Sequence, residues 1–213
     1  KVATPDAPVV ADNAVLADAQ IPDDKIVTEV IDTAAKQTLA PEALSLETQP
    51  LGGVNAVALA TQPVVQLLEQ RGSSISTAGI TITAVSGRTD VVLSGNTAVT
   101  DAKGRAIFKT LSLTGIMGDI ALTFTAPRLG LEGVTSGNLD LAAGVATALV
   151  SDTKLGAVAA GKFFNQFHKL HLQDSGGNVV AGAGRNVVVS SSTDGLSGTT
   201  TVPTAKDGYV LFK

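Results

Sequence analysis

The sequence predicts an all-β chain built as two sandwich units, the second lacking its last strands, and three observations carry that prediction. Short apolar runs alternate with clusters of Gly, Asn, Asp and Ser. Charged residues make up only 16% of the 213 positions, while Gly alone contributes 22. The sequence also matches itself at a nearly fixed offset. The first observation is the pattern of half-buried strands separated by turns. The second falls well under the roughly 25% charge usual in soluble domains, so aliphatic packing must carry the fold. The third makes the chain two copies of one unit.

The self-match runs through four segments. "ALSLETQPLGG" from Ala43 lines up with "ALVSDTKLGAV" from Ala148, and "LEQRGSSISTAGITIT" from Leu68 with "QDSGGNVVAGAGRNVV" from Gln173. "LSGNT" at Leu93 matches "LSGTT" at Leu196, and "GRAIFK" at Gly104 matches "GYVLFK" at Gly208. The offset stays between 103 and 105.

In the first copy the alternation places strands at Ala43 to Thr48, Val64 to Glu69, Ile80 to Val85, Arg105 to Leu113, Ile120 to Ala126 and Thr135 to Leu141. The clearest is "DIALTFTAP", where Ile120, Leu122 and Phe124 share one face and Ala121, Thr123 and Thr125 the other. One buried and one wet face is the pattern of an antiparallel sheet in a sandwich. Six or seven such strands in about 100 residues fit an immunoglobulin-like sandwich. The expected organisation is an acidic leader over residues 1–42, a complete sandwich over 43–144 and an incomplete one over 145–213.

The stretch "ALATQPVVQLLEQRGSSISTAGITITAVSG", followed by "LSGNTAVTDAKGRAIFKTLSLTGIMGDIALTFTAP", resembles the bacterial immunoglobulin-like repeats found in tandem in large surface and adhesin proteins of the invasin and intimin type. The resemblance covers roughly residues 43–213. It rests on the QP before the second strand, the Gly turn after it, the LSG and the "TDAKGRAIF" hairpin. The second copy departs from it by writing "TAKDGYVLF" and stopping there. The resemblance implies an extracellular spacer, adhesive or assembly role and brings no catalytic residues with it.

Lys213 is the counterpart of Lys109, after which the first copy continues through the strands Ile120 to Ala126 and Thr135 to Leu141. The second copy is therefore expected to expose unpaired backbone and an apolar trough. At about 25 cal/mol per Å2, several hundred Å2 of open apolar surface costs on the order of 10 kcal/mol, comparable to the stability of a whole domain. Two explanations compete: downstream residues of a longer array complete the sheet, or another copy inserts a strand so that subunits join head to tail. "KIVTEVIDT" from Lys25 is a candidate donor. Its residues also fit helical spacing, with Pro22 and Asp23 placed as a helix start, and strand and helix stay open over residues 23–40.

Charge and composition exclude several functions. Residues 1–42 hold three Lys against eight acids, net -5, and the other 171 residues hold 12 basic and 11 acidic groups, net +1. A near-neutral body offers no basic stripe, so nucleic acid is not an expected partner. Zero Cys excludes disulfides, thiolate catalysis and Cys-type zinc sites. No apolar run approaches the roughly 20 residues needed to span a bilayer. Aromatics at 3%, with no Trp, leave few stacking platforms for sugars.

The residues that invite chemistry are few. His168 and His171, three apart on a strand, point to opposite faces and do not make a metal pair; His171, matching Gln66, is expected outside, between inward Leu170 and Leu172. "DSGGN", Asp174 to Asn178, reads as a hairpin turn, not a calcium loop, and Asp140, Asp152 and Asp174 are only loose candidates for an ion between domains. "GAGRN" from Gly182 lacks the third glycine of a phosphate loop. The abundant Ser and Thr suit exposed sheet faces and could carry O-glycans. Lys109 or Lys162 could form an isopeptide with a nearby Asn. Phe163, Phe164 and Phe167 are expected to pack in the core or at the domain junction.

No metal site and no cofactor is expected, and no base–nucleophile arrangement marks an enzyme. The expected function is that of an extracellular structural repeat protein of a bacterial surface, a filament, lattice or stalk subunit that associates with other copies or adjacent repeats. The alternative is an adhesin or carbohydrate-binding module that uses the loops at the sandwich ends against a host surface or glycan.

Overall fold

A computed structural model of the chain describes residues 40–213 apart from 155, 165, 193 and 194. The acidic leader, its candidate donor segment and the choice between helix and strand over residues 23–40 lie outside the described residues, save for residues 40–42. The described part is all-β, an immunoglobulin-like β-sandwich, and residues 40–213 cluster as one compact unit. Among the described residues no helix is long and apolar enough to cross a membrane.

The first twelve strands are β1 (Ala43–Thr48), β2 (Gly53–Val54), β3 (Val64–Leu68), β4 (Thr81–Ser86), β5 (Val91–Ser94), β6 (Thr97–Val99), β7 (Arg105–Ile107), β8 (Ser112–Gly115), β9 (Gly118–Ile120), β10 (Leu122–Thr125), β11 (Val134–Thr135) and β12 (Leu139–Ala142). One layer is ordered β1-β3-β7 and the other β11-β10-β4-β6, with β2-β12-β9 and β5-β8 as smaller sheets. Val65, Leu67 and Ala106 from the first layer and Ile82, Ala84, Leu122 and Phe124 from the second are fully buried in one core. Phe108 meets Phe124 edge-on at 5.4 Å in its middle. Period-two alternation on both layers directs these side chains to a common interior.

The expected strands are present, but three of them are split. Arg105 to Leu113 divides into β7 and β8, Ile120 to Ala126 into β9 and β10, and Thr135 to Leu141 into β11 and β12. The physical reason is that the chain changes sheets while keeping its inward faces. β9 pairs with β12 and β10 with β4, yet Ile120, Leu122 and Phe124 are all buried. Alternation reports which side chains turn inward and is silent about which backbone they pair with.

The remaining strands are β13 (Ala146–Ser151), β14 (His168–Asp174), β15 (Asn186–Val188), β16 (Thr201–Pro203) and β17 (Tyr209–Phe212). The order β13-β14-β17 has the same pattern as β1-β3-β7, and β15-β16 the same as β4-β6. The turns correspond bond for bond. Leu67 N–H donates to Gly104 O and Leu172 N–H to Gly208 O; Ile80 N–H donates to Thr100 Oγ1 at 3.0 Å and Arg185 N–H to Thr204 Oγ1 at 3.0 Å. Gly104 (φ 74°) and Gly208 (φ 82°) both adopt left-handed backbone, and a Cβ on either would overlap a carbonyl oxygen, that of Ile75 or Val180. The core of this part is small: Val187, Val210 and Phe212, with Leu170, Val189 and Val202 packed against them.

Candidate functional site

The most highly organised polar cluster lies where residues 43–144 meet residues 145–213. Only Ala143 to Val145 separate β12 from β13, and the turn after β14 folds back over this connection. At its centre Asp174 is 4% exposed, with Asn55 at 1% and Asn178 at 4%.

Every donor needed to hold a buried carboxylate is supplied by a neighbouring loop. Asp174 Oδ2 accepts from Asn55 Nδ2 at 2.8 Å and from the Gly144 N–H at 2.8 Å. Oδ1 accepts from the N–H groups of Gly176 and Asn178, each at 2.9 Å, and Asn178 Nδ2 stands 3.1 Å from both oxygens. Burial pushes the carboxyl up, but the Gly144 and Asn178 N–H groups and the Asn55 and Asn178 amides outweigh it, and Asp174 is held down at about 2.

The two asparagines extend the cluster to the β8–β9 loop. Asn55 Oδ1 accepts from the Gly115 N–H at 3.1 Å, while Gly115 O accepts from Asn55 Nδ2 at 3.2 Å and from Asn178 Nδ2 at 2.8 Å. Met117 N–H donates to Asn178 Oδ1 at 2.8 Å. Two glycines let the backbones approach: a Cβ on Gly144 would overlap Asn55 O, and one on Gly176 would overlap Asn55 Nδ2 and Gly115 O. Arg88, paired with Asp90, holds the same loop through a 2.9 Å bond to Ile116 O. This constellation is a latch: a desolvated anion whose hydrogen bonds come from both sides of the connection and are expensive to lose.

Sequence reading identified the turn at Asp174 to Asn178 and missed what its carboxylate does. Asn55 lies 119 residues from Asp174, so no local spacing connects them. The available signal was the substitution of Asp174 for Glu69 at the same place in the first copy.

The other candidates lie elsewhere. His168 and His171 face opposite sides of β14, His168 beside Phe164 and His171 beside Tyr209. The expectation that His171 is outside is corrected: it is 8% exposed and Gln66 is 7%. The face away from the core is covered, because Tyr209 pairs across from His171, Lys169 sits 3.7 Å over the Tyr209 ring, and Asp152 Oδ1 lies 2.8 Å from His171 Nδ1 without hydrogen-bond alignment.

The phenylalanines are also corrected. Phe163 is 96% exposed, and Phe164 and Phe167 are exposed with it, in the loop between β13 and β14. Lys109 and Lys162 are exposed. Asp140 lies on β12 opposite Asp119, and Asp152 beside His171, so neither joins Asp174. Among the described residues no three His, Cys, Asp or Glu are grouped to hold a metal ion.

No protein-family model matches the chain, and no curated protein matches it. A solved structure described as the D0-D1 domain of Intimin is similar to 79% of this chain over 80% of its own, at 18% identity and a TM-score of 0.31. That likeness is too low in both measures to bear on function.

Proposed function

We propose that the chain is a structural element of an extracellular bacterial assembly, a tandem pair of immunoglobulin-like repeats that serves as a filament, lattice or stalk subunit and has no enzymatic activity. Its job is to hold two sandwich units at a fixed angle and pass load between them. The observation that carries this reading is the buried Asp174 carboxylate. A free hinge has no use for a desolvated anion, whereas a rigid coupling gains a narrow geometry from one. The matched pairing orders and turn hydrogen bonds of the two halves support the reading of a repeat. The surface location comes from the resemblance of residues 43–213 to bacterial surface repeats.

Self-association with other copies, by strand addition at an open sheet edge, is the expected route to polymer. Negative-stain electron microscopy of the purified chain over a concentration series tests it. End-to-end assemblies that grow with concentration are expected, and dispersed single particles throughout overturn the reading.

The exposed Phe163, Phe164 and Phe167 favour a second reading, a binding module for a glycan or host surface. A glycan array with the whole chain tests it, and binding that disappears in Phe163→Ala is the result that supports it.

A further inference from the structure

The first sandwich shows what one edge in residues 145–213 is built to receive. β4 is paired on both sides, by β6 and by β10, whereas β15 has β16 as its only ladder partner among the described residues. The correspondence of β4 and β15 is fixed by two observations. Ile82 faces Ala98 as Val187 faces Val202, and the Ala84 N–H donates to Asn96 O at 2.8 Å as the Val189 N–H donates to Thr200 O at 2.8 Å. β10 runs antiparallel to β4 with Phe124 opposite Ala84 and Thr125 opposite Thr83. Carried over, the matching edge begins at Val188 and places Val189 opposite the position of Phe124.

The apolar side chains of residues 145–213 at positions matching the first core agree. The registers β1–β3 and β13–β14 place Leu149 and Leu172 where Leu44 and Leu67 stand, so the same offset of 105 applies on both sides of the intervening loop and puts Phe164 at Leu59. Leu44 and Leu59 are buried in the first core; Leu149 and Phe164 are 46% and 44% exposed. Leu170, Val189 and Val202 are only partly covered, although Val65 and Ala84, the counterparts of the first two, are fully buried. Among the described residues, these positions lack the facing layer that covers their counterparts in the first sandwich.

We propose that the β15 edge is a strand-acceptor site for an extended segment with the chemistry of β10. Such a segment carries large apolar side chains at alternate positions, one of them opposite Val189, and β-forming polar residues between them, and it adds antiparallel. The proposal rests on reading residues 145–213 as a second copy of the sandwich. Backbone bonds to the edge provide attraction for any extended chain, and the alternating pockets set the parity, because a shift by one residue turns every apolar side chain outward.

The test uses the full 213-residue chain and a synthetic peptide with the sequence of residues 118–127. Isothermal titration gives the affinity and hydrogen exchange locates the site. Saturable binding with new protection at Val188 and Ser190, which flank the Val189 N–H already bonded to Thr200 O, is expected. A peptide of the same composition, with Leu122 exchanged for Thr123 and Phe124 for Thr125, should bind roughly tenfold or more weakly. Absence of binding, equal binding of the parity-exchanged peptide, or protection confined to another edge overturns the proposal. A chain whose two halves keep their fixed spacing but fail to take the peptide removes the acceptor site alone, whereas loss of that spacing counts against the structural function itself.

Discussion

Asn55 and Asp174 are joined by a 2.8 Å hydrogen bond between residues 119 positions apart, one from each side of the junction, and both are shielded from water. Because the carboxylate has given up its hydration, each amide that faces it replaces a water it cannot recover. Geometry at this point is therefore tightly specified: rotating one half against the other strands a buried charge.

Acid should loosen the junction in a defined window. The Asp174 value of about 2 lies below the ordinary 3.8, so its stabilisation is fully present above about pH 4 and is lost as pH falls through 2. The difference corresponds to roughly 2 kcal/mol at neutral pH. Carboxyl NMR titration should give Asp174 a midpoint near 2, and a midpoint near 4 would show that the donors do not hold the anion.

Gly176→Ala should damage the junction without touching either core, because its methyl group overlaps Asn55 Nδ2 and Gly115 O. Overpacking of this kind costs about 1–3 kcal/mol. Gly156→Ala, where nothing lies within 4 Å, is the control and should leave denaturant midpoints unchanged.

The two cores should respond unequally. Phe124 is fully buried against Phe108, and Phe124→Ala should cost about 3–5 kcal/mol in urea unfolding. Val187 belongs to a smaller, more open cluster, and Val187→Ala should cost about 1 kcal/mol. Equal losses would mean that the second core is as closely packed as the first.

His171→Gln should be tolerated to within about 1 kcal/mol. Gln66 occupies the matching place and donates through Nε2 to backbone carbonyls that include Ile75 O at 3.4 Å and Gly104 O at 3.3 Å. The counterparts Val180 and Gly208 keep the same turn bonds. His171→Ala, which leaves the covered face hollow, should cost more, and thermal melts of the two variants would show the order reversed if the match of Gln66 with His171 were wrong.

Much of the fold was legible because alternation and turn chemistry are local. Ala43 to Thr48 was readable residue for residue, and the inward set Ile120, Leu122 and Phe124 was correct even where the strand carrying it switches sheets. Pairing was not legible, since β9 and β10 differ in backbone partner and not in side-chain pattern. The site was hidden for a related reason. Asn55 sits in "GGVNAV" as an ordinary turn residue, and only the folded chain brings it to Asp174. Phe163 and Phe164 show that apolarity alone does not dictate burial: Leu59, the counterpart of Phe164, is covered by strands that follow it in the first sandwich and is bonded to Leu111.

The proposed fixed coupling of the two halves is tested most directly by the distance between them. The chain has no Cys, so Arg128→Cys and Lys206→Cys, both at exposed positions, give a unique pair of spin labels for pulsed electron resonance. A single narrow distance distribution at pH 7 that broadens in Asp174→Ala is the predicted result. A distribution already broad in the unaltered chain, or one whose width ignores Asp174→Ala, would contradict the account.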